Sequence, residues 1–208
     1  MKPVLTLMRR NPGPALLLAA CVATFTTVGL VRGIWFVWVY LPALAACLAI
    51  VAAIDHYRGP LPGSLLWPLV VWAGMHLAGG LAPNPSGNTE ILYGFWLIDG
   101  VLRYDQLVHG FGIGAATVVF AFAARDGERP LFWGFVLSQF VGLVNETAEN
   151  VFAAFVADSN VGDIVNTTWD LIWHVIGAAV ATLWMARRGI PGHSHGEAYA
   201  PRRQEQRS

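Results

Sequence analysis

Long apolar runs alternate with short polar breaks along most of this chain, and the breaks define its elements. Apolar stretches cover Pro14–Val31 and Gly33–Ile54, parted only by Arg32, and then Ser64–Ala82. Asp105–Ala124, Leu131–Ala157 and Thr167–Ala186 follow. At about 1.5 Å per residue each can cross a hydrocarbon core about 30 Å thick, the first only just. The breaks are rich in turn formers or charge: DHYRGPLPGS (Asp55–Ser64), RDGERP (Arg125–Pro130) and ADSNVGDIVN (Ala157–Asn166). The longest, Pro83–Tyr104, starts with Pro, Asn, Ser and Gly and ends rich in aromatics, which suits a segment lying on the membrane surface. The pattern predicts an all-α, polytopic membrane bundle of six transmembrane helices, over residues 14–31, 33–54, 64–82, 105–124, 131–157 and 167–186. A basic segment, residues 1–13, precedes it and ends in helix-breaking Pro and Gly. A polar tail, residues 187–208, follows and reads as disordered.

Composition agrees. Of 208 residues 55% are hydrophobic and only 12% charged, where a soluble domain carries about a quarter charged residues. Cys21 and Cys47 both lie in apolar runs and read as bystander thiols. Leu18–Cys21 resembles a lipoprotein cleavage box, but the apolar run continues past the cysteine, so a first transmembrane helix fits better. The net charge of zero hides an asymmetry. With six spans both termini share one face, together with Lys2, Arg9, Arg10, Arg58, Arg125, Arg129, Arg187, Arg188, Arg202, Arg203 and Arg207. Only Arg32 and Arg103 fall on the other face. This bias predicts cytoplasmic termini in a bacterial inner membrane. Beyond these flanking residues there is no basic patch, so no nucleic-acid partner is expected.

Against this background the polar residues inside the spans stand out, because acids there cost roughly 2.5–3.5 kcal/mol at mid-membrane. Asp105 opens the fourth span with His109 roughly 6 Å deeper, and Asp170 and His174 enter the sixth from the same side. Glu146 and Glu149 lie in the last third of the fifth, and His76 is roughly 9 Å below the outer end of the third. Four helices therefore bring ionisable groups to one layer. Two stretches also resemble each other, YDQLVHGFGIGAA (Tyr104–Ala116) and WDLIWHVIGAAVA (Trp169–Ala181). In each, Asp and His at i,i+4 share a helix face, and the small residues that follow allow close packing.

Histidine with carboxylate from facing helices suits zinc or another divalent metal. On this reading Asp105, His109, Asp170 and His174 are ligands, and Glu146 or Glu149 is the general base of a metal-assisted hydrolysis on a lipid or cell-envelope substrate. The plainer reading is that the same groups hydrogen-bond one another beside a wet vestibule. A proton-coupled transporter is a further alternative, although Ala115–Ala124 and Ala178–Ala186 contain no ionisable residue to continue a relay. So are a non-catalytic scaffold and haem ligation by two of His76, His109 and His174. Asn145, Asn150 and Gln139 are candidates either for supporting donors or for simple interhelical hydrogen bonds, and Asp163 could reach back over the site. Asp158, His56 and the His193/His195 tract read as loop, connector and tail residues.

The pattern D-x-x-x-H at a helix start, a Glu-bearing helix, then D with D-x-x-x-H-x-x-G-A resembles the YjdF-like inner-membrane proteins and the related VanZ-like proteins. The matching positions are Asp105, His109, Glu146, Glu149, Asp163, Asp170, His174, Gly177 and Ala178. The resemblance covers about Tyr104–Ala181. The chain departs from the usual VanZ-like pattern with Gln106 in place of a lysine and His174 in place of an asparagine. What the resemblance implies is a fold and a site, and no activity is carried over from it.

Overall fold

In a computed structural model of the chain, residues 2–87, 90–155 and 164–191 are described, and most of them are helical. The helices are α1 (Lys2–Arg10), α2 (Pro12–Val31), α3 (Val37–Tyr57), α4 (Gly63–Leu81), α5 (Tyr104–Ala123), α6 (Pro130–Phe155) and α7 (Ile164–Arg188). Between α4 and α5 lie a 3-10 turn, Leu92–Gly94, and an antiparallel hairpin of β1 (Trp96–Ile98) and β2 (Leu102–Arg103). Five helices, α2, α3, α4, α5 and α7, are long and apolar enough to cross a membrane. α6 is as long, at 26 residues, but its own polar side chains, among them Gln139, Asn145, Glu146 and Glu149, make it less apolar.

Two regions differ from the reading of the pattern. The basic N-terminal segment is a folded helix, because Leu7 is buried against Ala52, Leu61 and Leu65 and Asn11 Nδ2 caps its end on Leu7 O at 3.0 Å. Pro12 then starts α2, where its missing N–H has no helical partner to lose. The connector expected from Asp55 begins later, since α3 continues through Tyr57. Asp55 is held there by an ion pair with Arg10 and by the Leu61 N–H at 2.8 Å. The tail beyond residue 191, with His193 and His195, and the loop with Asp158 and Asp163 lie outside the described residues.

Contacts between helices fix their directions. Gly13 abuts Trp67, Cys21 faces Gly74 and Gly29 faces Leu81, so α2 and α4 run parallel. α5 runs against α4: Trp72 lies on Gly112, and Tyr104 Oη donates to Met75 O at 3.0 Å. α7 is parallel to α5, with Gly110 against Trp173 and Gly114 against Gly177. α6 is antiparallel to both: Thr117 Oγ1 donates to Ser138 Oγ at 2.7 Å, Gly134 packs on Ala121, and Gly142 packs on His174. These directions gather Arg10, Arg58, Arg125, Arg187 and Arg188 at one end and leave Arg32 and Arg103 at the other.

The apolar core is split accordingly. Leu7, Ala52, Leu61, Leu65, Leu66, Val119 and Phe122 pack together at the basic end. Ile34, Val37, Leu77 and Leu81 pack at the opposite end. In lipid, helices gain little from apolar burial alone, so close approach and polar contacts decide which faces meet. Glycines supply that approach between α5 and α7. A Cβ at Gly177 would collide with the carbonyl of Gly110. The three helices α5, α6 and α7 thereby hold the polar layer between them.

Candidate functional site

The centre of the layer is His109, buried in the second turn of α5. Its two ring nitrogens face different neighbours. Nε2 lies 3.2 Å from Oδ1 of Asp105, one turn back on the same helix. Nδ1 lies 2.8 Å from Nε2 of His174 on α7 and 3.2 Å from Oε1 of Glu146 on α6. The third side of that triangle, His174 Nε2 to Glu146 Oε1, is 3.6 Å. Tetrahedral zinc with nitrogen and oxygen arms of 2.0–2.2 Å separates its ligand atoms by about 3.3–3.5 Å. The 3.2 and 3.6 Å sides of the triangle bracket that separation, and the 2.8 Å side, a hydrogen bond between the two imidazoles, is shorter.

Local sequence explains how α6 and α7 come so close. Gly142 sits one turn before Glu146, and a Cβ there would lie 2.5 Å from His174 Nδ1. Gln139, one turn earlier again, donates to the His174 carbonyl at 3.2 Å. The cluster is not a closed hydrogen-bonded set. Glu146 and His174 are 2% and 1% exposed, yet Glu146 Oε1 and His174 Nδ1 have no hydrogen-bond partner. Leaving a buried polar atom unsatisfied costs about 1–3 kcal/mol, and more for a charged group.

A second group shares His109 with Asp105 and Asp170, and its ligand atoms also lie within 4.8 Å of one another. Asn166, one turn before Asp170, ties it together: its Nδ2 donates to Asp170 Oδ2 at 2.6 Å and to Asp105 Oδ2 at 3.1 Å. Arg103 in turn donates to Asn166 Oδ1 at 3.1 Å, while its guanidinium sits 4.6 Å over the Trp96 ring. Asp170 Oδ1 is buried without a hydrogen bond. The β-hairpin thus carries a cation to the rim of the acid layer.

The outer wall is aromatic. His76 on α4 stacks on Trp72, hydrogen-bonds the Tyr93 hydroxyl, and lies 6.5 Å from His109 between ring centroids. Tyr93 comes from the 3-10 turn and lies against Gly79, which leaves room for its ring. Burial pushes its phenol well above the usual range, so it remains a neutral donor. Glu149 accepts from Asn145 Nδ2 at 2.7 Å, and Asn150 donates to Glu146 O at 2.7 Å and Thr167 Oγ1 at 3.1 Å. Asn145 thus donates to an acid beside the site, whereas Asn150 makes an interhelical hydrogen bond to α7.

Asp105, His109, Asp170, His174 and Glu146 thus converge, with His76 adjacent. Glu146 sits among the ligand-type atoms, whereas Glu149 belongs to neither close group. Two contributors were not singled out in the sequence. Asn166 extends the Asp170–His174 spacing backward by one turn, so N-x-x-x-D-x-x-x-H was the readable signal. Tyr93 lies in an irregular loop and offered none.

The helices long and apolar enough to cross a membrane define a helical membrane protein, and it contains a buried acid/histidine cluster. The chain matches the family described as predicted membrane protein (DUF2238) over residues 13–189 and belongs to it. No curated protein and no solved structure matches it.

Proposed function

We propose that the polar layer binds a divalent metal through His109, His174 and Glu146 and performs metal-assisted hydrolysis on a lipid or cell-envelope substrate. The single observation behind this is the triangle of 2.8, 3.2 and 3.6 Å among three buried donor atoms, one of them with no hydrogen bond. Two histidines and a glutamate leave one tetrahedral position for water or substrate, as catalytic zinc sites do. Asp105 orients His109 through its other nitrogen, the role carboxylates play behind metal-bound histidines. Glu149 is the general base, because it is the acid of α6 outside the ligand triangle and lines the neighbouring cavity. A divalent ion held there would polarise an ester or phosphoryl oxygen and lower the pKa of bound water.

In this reading α6 is a sixth span, which its length and its antiparallel packing between α5 and α7 support. The basic end then faces the cytoplasm of a bacterial inner membrane and the site faces outward. On α5 and α7 no ionisable residue lies between the site histidines and Arg187, which favours a one-sided site over a proton path. Elemental analysis of protein purified without chelators tests the proposal. About one zinc or manganese per chain is expected, falling to background in the His109→Ala/His174→Ala double variant. Metal-free wild-type protein would overturn it.

A further inference from the structure

Beside the metal triangle, a cavity of about 250 Å³ lies between α3, α4, α6 and the loop that carries Tyr93. One end is polar, with Asp105, Glu149, Asn145, Asn166 and His76. The other is apolar, walled by Phe36, Val39, Ala43 and Phe152. Ala43 on α3 and Ala148 on α6 are both small and exposed, so the apolar end opens sideways between these helices, where lipid chains would surround the bundle. Phe152 stacks on Trp35 and meets Phe36, closing the outermost part of that gap.

We infer that this cavity is a lateral entry for a single-chain amphiphile whose headgroup is cationic or hydroxyl-bearing rather than phosphorylated. Two carboxylates reach the polar end, and among the described residues lining it none is Arg or Lys. An anionic headgroup would meet Asp105 and Glu149 directly, while the Arg103 guanidinium at the rim is already held on Asn166 Oδ1 and over the Trp96 ring, so like-charge repulsion disfavours it. An ammonium or hydroxyl donor finds acceptors there. The volume lies just below the usual range for ligand pockets, about 300 Å³ and upward, so it admits a compact headgroup and part of one chain and excludes a bulky glycan. The apolar wall faces the bilayer, so the chain need never enter water. Asp105 lines the cavity and also touches His109, which would carry the headgroup to the edge of the metal triangle. This inference rests on the proposed reaction site for its purpose, but the binding itself does not require a metal.

The test uses the full-length protein in nanodiscs, with a long-chain amine carrying a chain diazirine and a matched alkyl phosphate. After irradiation, the amine should label Phe36–Ala43 and Ala148–Phe152 at least tenfold more than the phosphate does. Ala43→Trp and Ala148→Trp should each abolish that labelling. Equal labelling by both probes, label spread over all lipid-facing helices, or unchanged labelling in both tryptophan variants would overturn the inference. Metal content measured on the same samples reports the metal proposal separately. Labelling of a metal-free wild type would leave the entry standing and the metal site refuted, and unlabelled protein with full metal would do the reverse.

Discussion

The chain carries the same short pattern twice, and its two copies behave differently. On α5, Asp105 and His109 face each other at 3.2 Å. On α7, Asp170 and His174 have the same spacing, yet they form no ion pair. Asp170 is turned to Asn166, and His174 is turned across to His109. Helical spacing puts two side chains on one face, but neighbours decide which way each one points. Asn166 donates to both acids, at 2.6 Å to Asp170 Oδ2 and 3.1 Å to Asp105 Oδ2, but Asp105 keeps its Oδ1 on His109 while Asp170 Oδ1 has no hydrogen bond. The copies are therefore not a symmetric pair of ligands. Both acids accept from the Asn166 amide, and only Asp105 also supports a histidine.

That difference can be broken by substitution. The largest effect belongs to His109→Ala, which removes the one residue common to both groups; metal affinity should fall more than about a hundredfold, beyond what loss of an outer-shell partner costs. Next is Asp105→Asn, which weakens the support of His109 and should cost about 10–100-fold in affinity, read by metal competition. The glycines after each histidine differ in the same way. Gly177→Ala drives a methyl into the Gly110 carbonyl and should destabilise by about 1–3 kcal/mol in a denaturation series. Gly110→Ala meets Trp173 at 3.3 Å and should cost less. The smallest effect is expected of Asp170→Asn, whose amide oxygen still accepts from Asn166, at under about tenfold in metal affinity. If Asp170→Asn matched Asp105→Asn, the two copies would be equivalent after all.

Much of this was legible in the chain. Hydropathy marks the helices because lipid requires backbone groups to be satisfied within each segment, and the basic ends follow from the loops. The polar layer was legible because intramembrane acids are costly enough to stand out. Rotamer choice was not. Nothing in the spacing says that Glu146, and not Asp170, meets both histidines, since that depends on Gly142 letting α7 approach. The helix at Lys2–Arg10 was hidden too: it is held by burial of Leu7 and the Arg10–Asp55 pair, contacts between residues far apart in sequence. The match to DUF2238 over residues 13–189 agrees with a membrane protein and leaves the chemistry to the site.

X-ray absorption at the metal edge reads the ligands of a bound ion at His109, His174 and Glu146 without intermediary. Wild-type protein loaded with zinc should show two imidazole ligands and one carboxylate oxygen at about 2.0–2.2 Å, with one imidazole lost in His174→Ala. A first shell without histidine, or one unchanged in that variant, would contradict that ligand set.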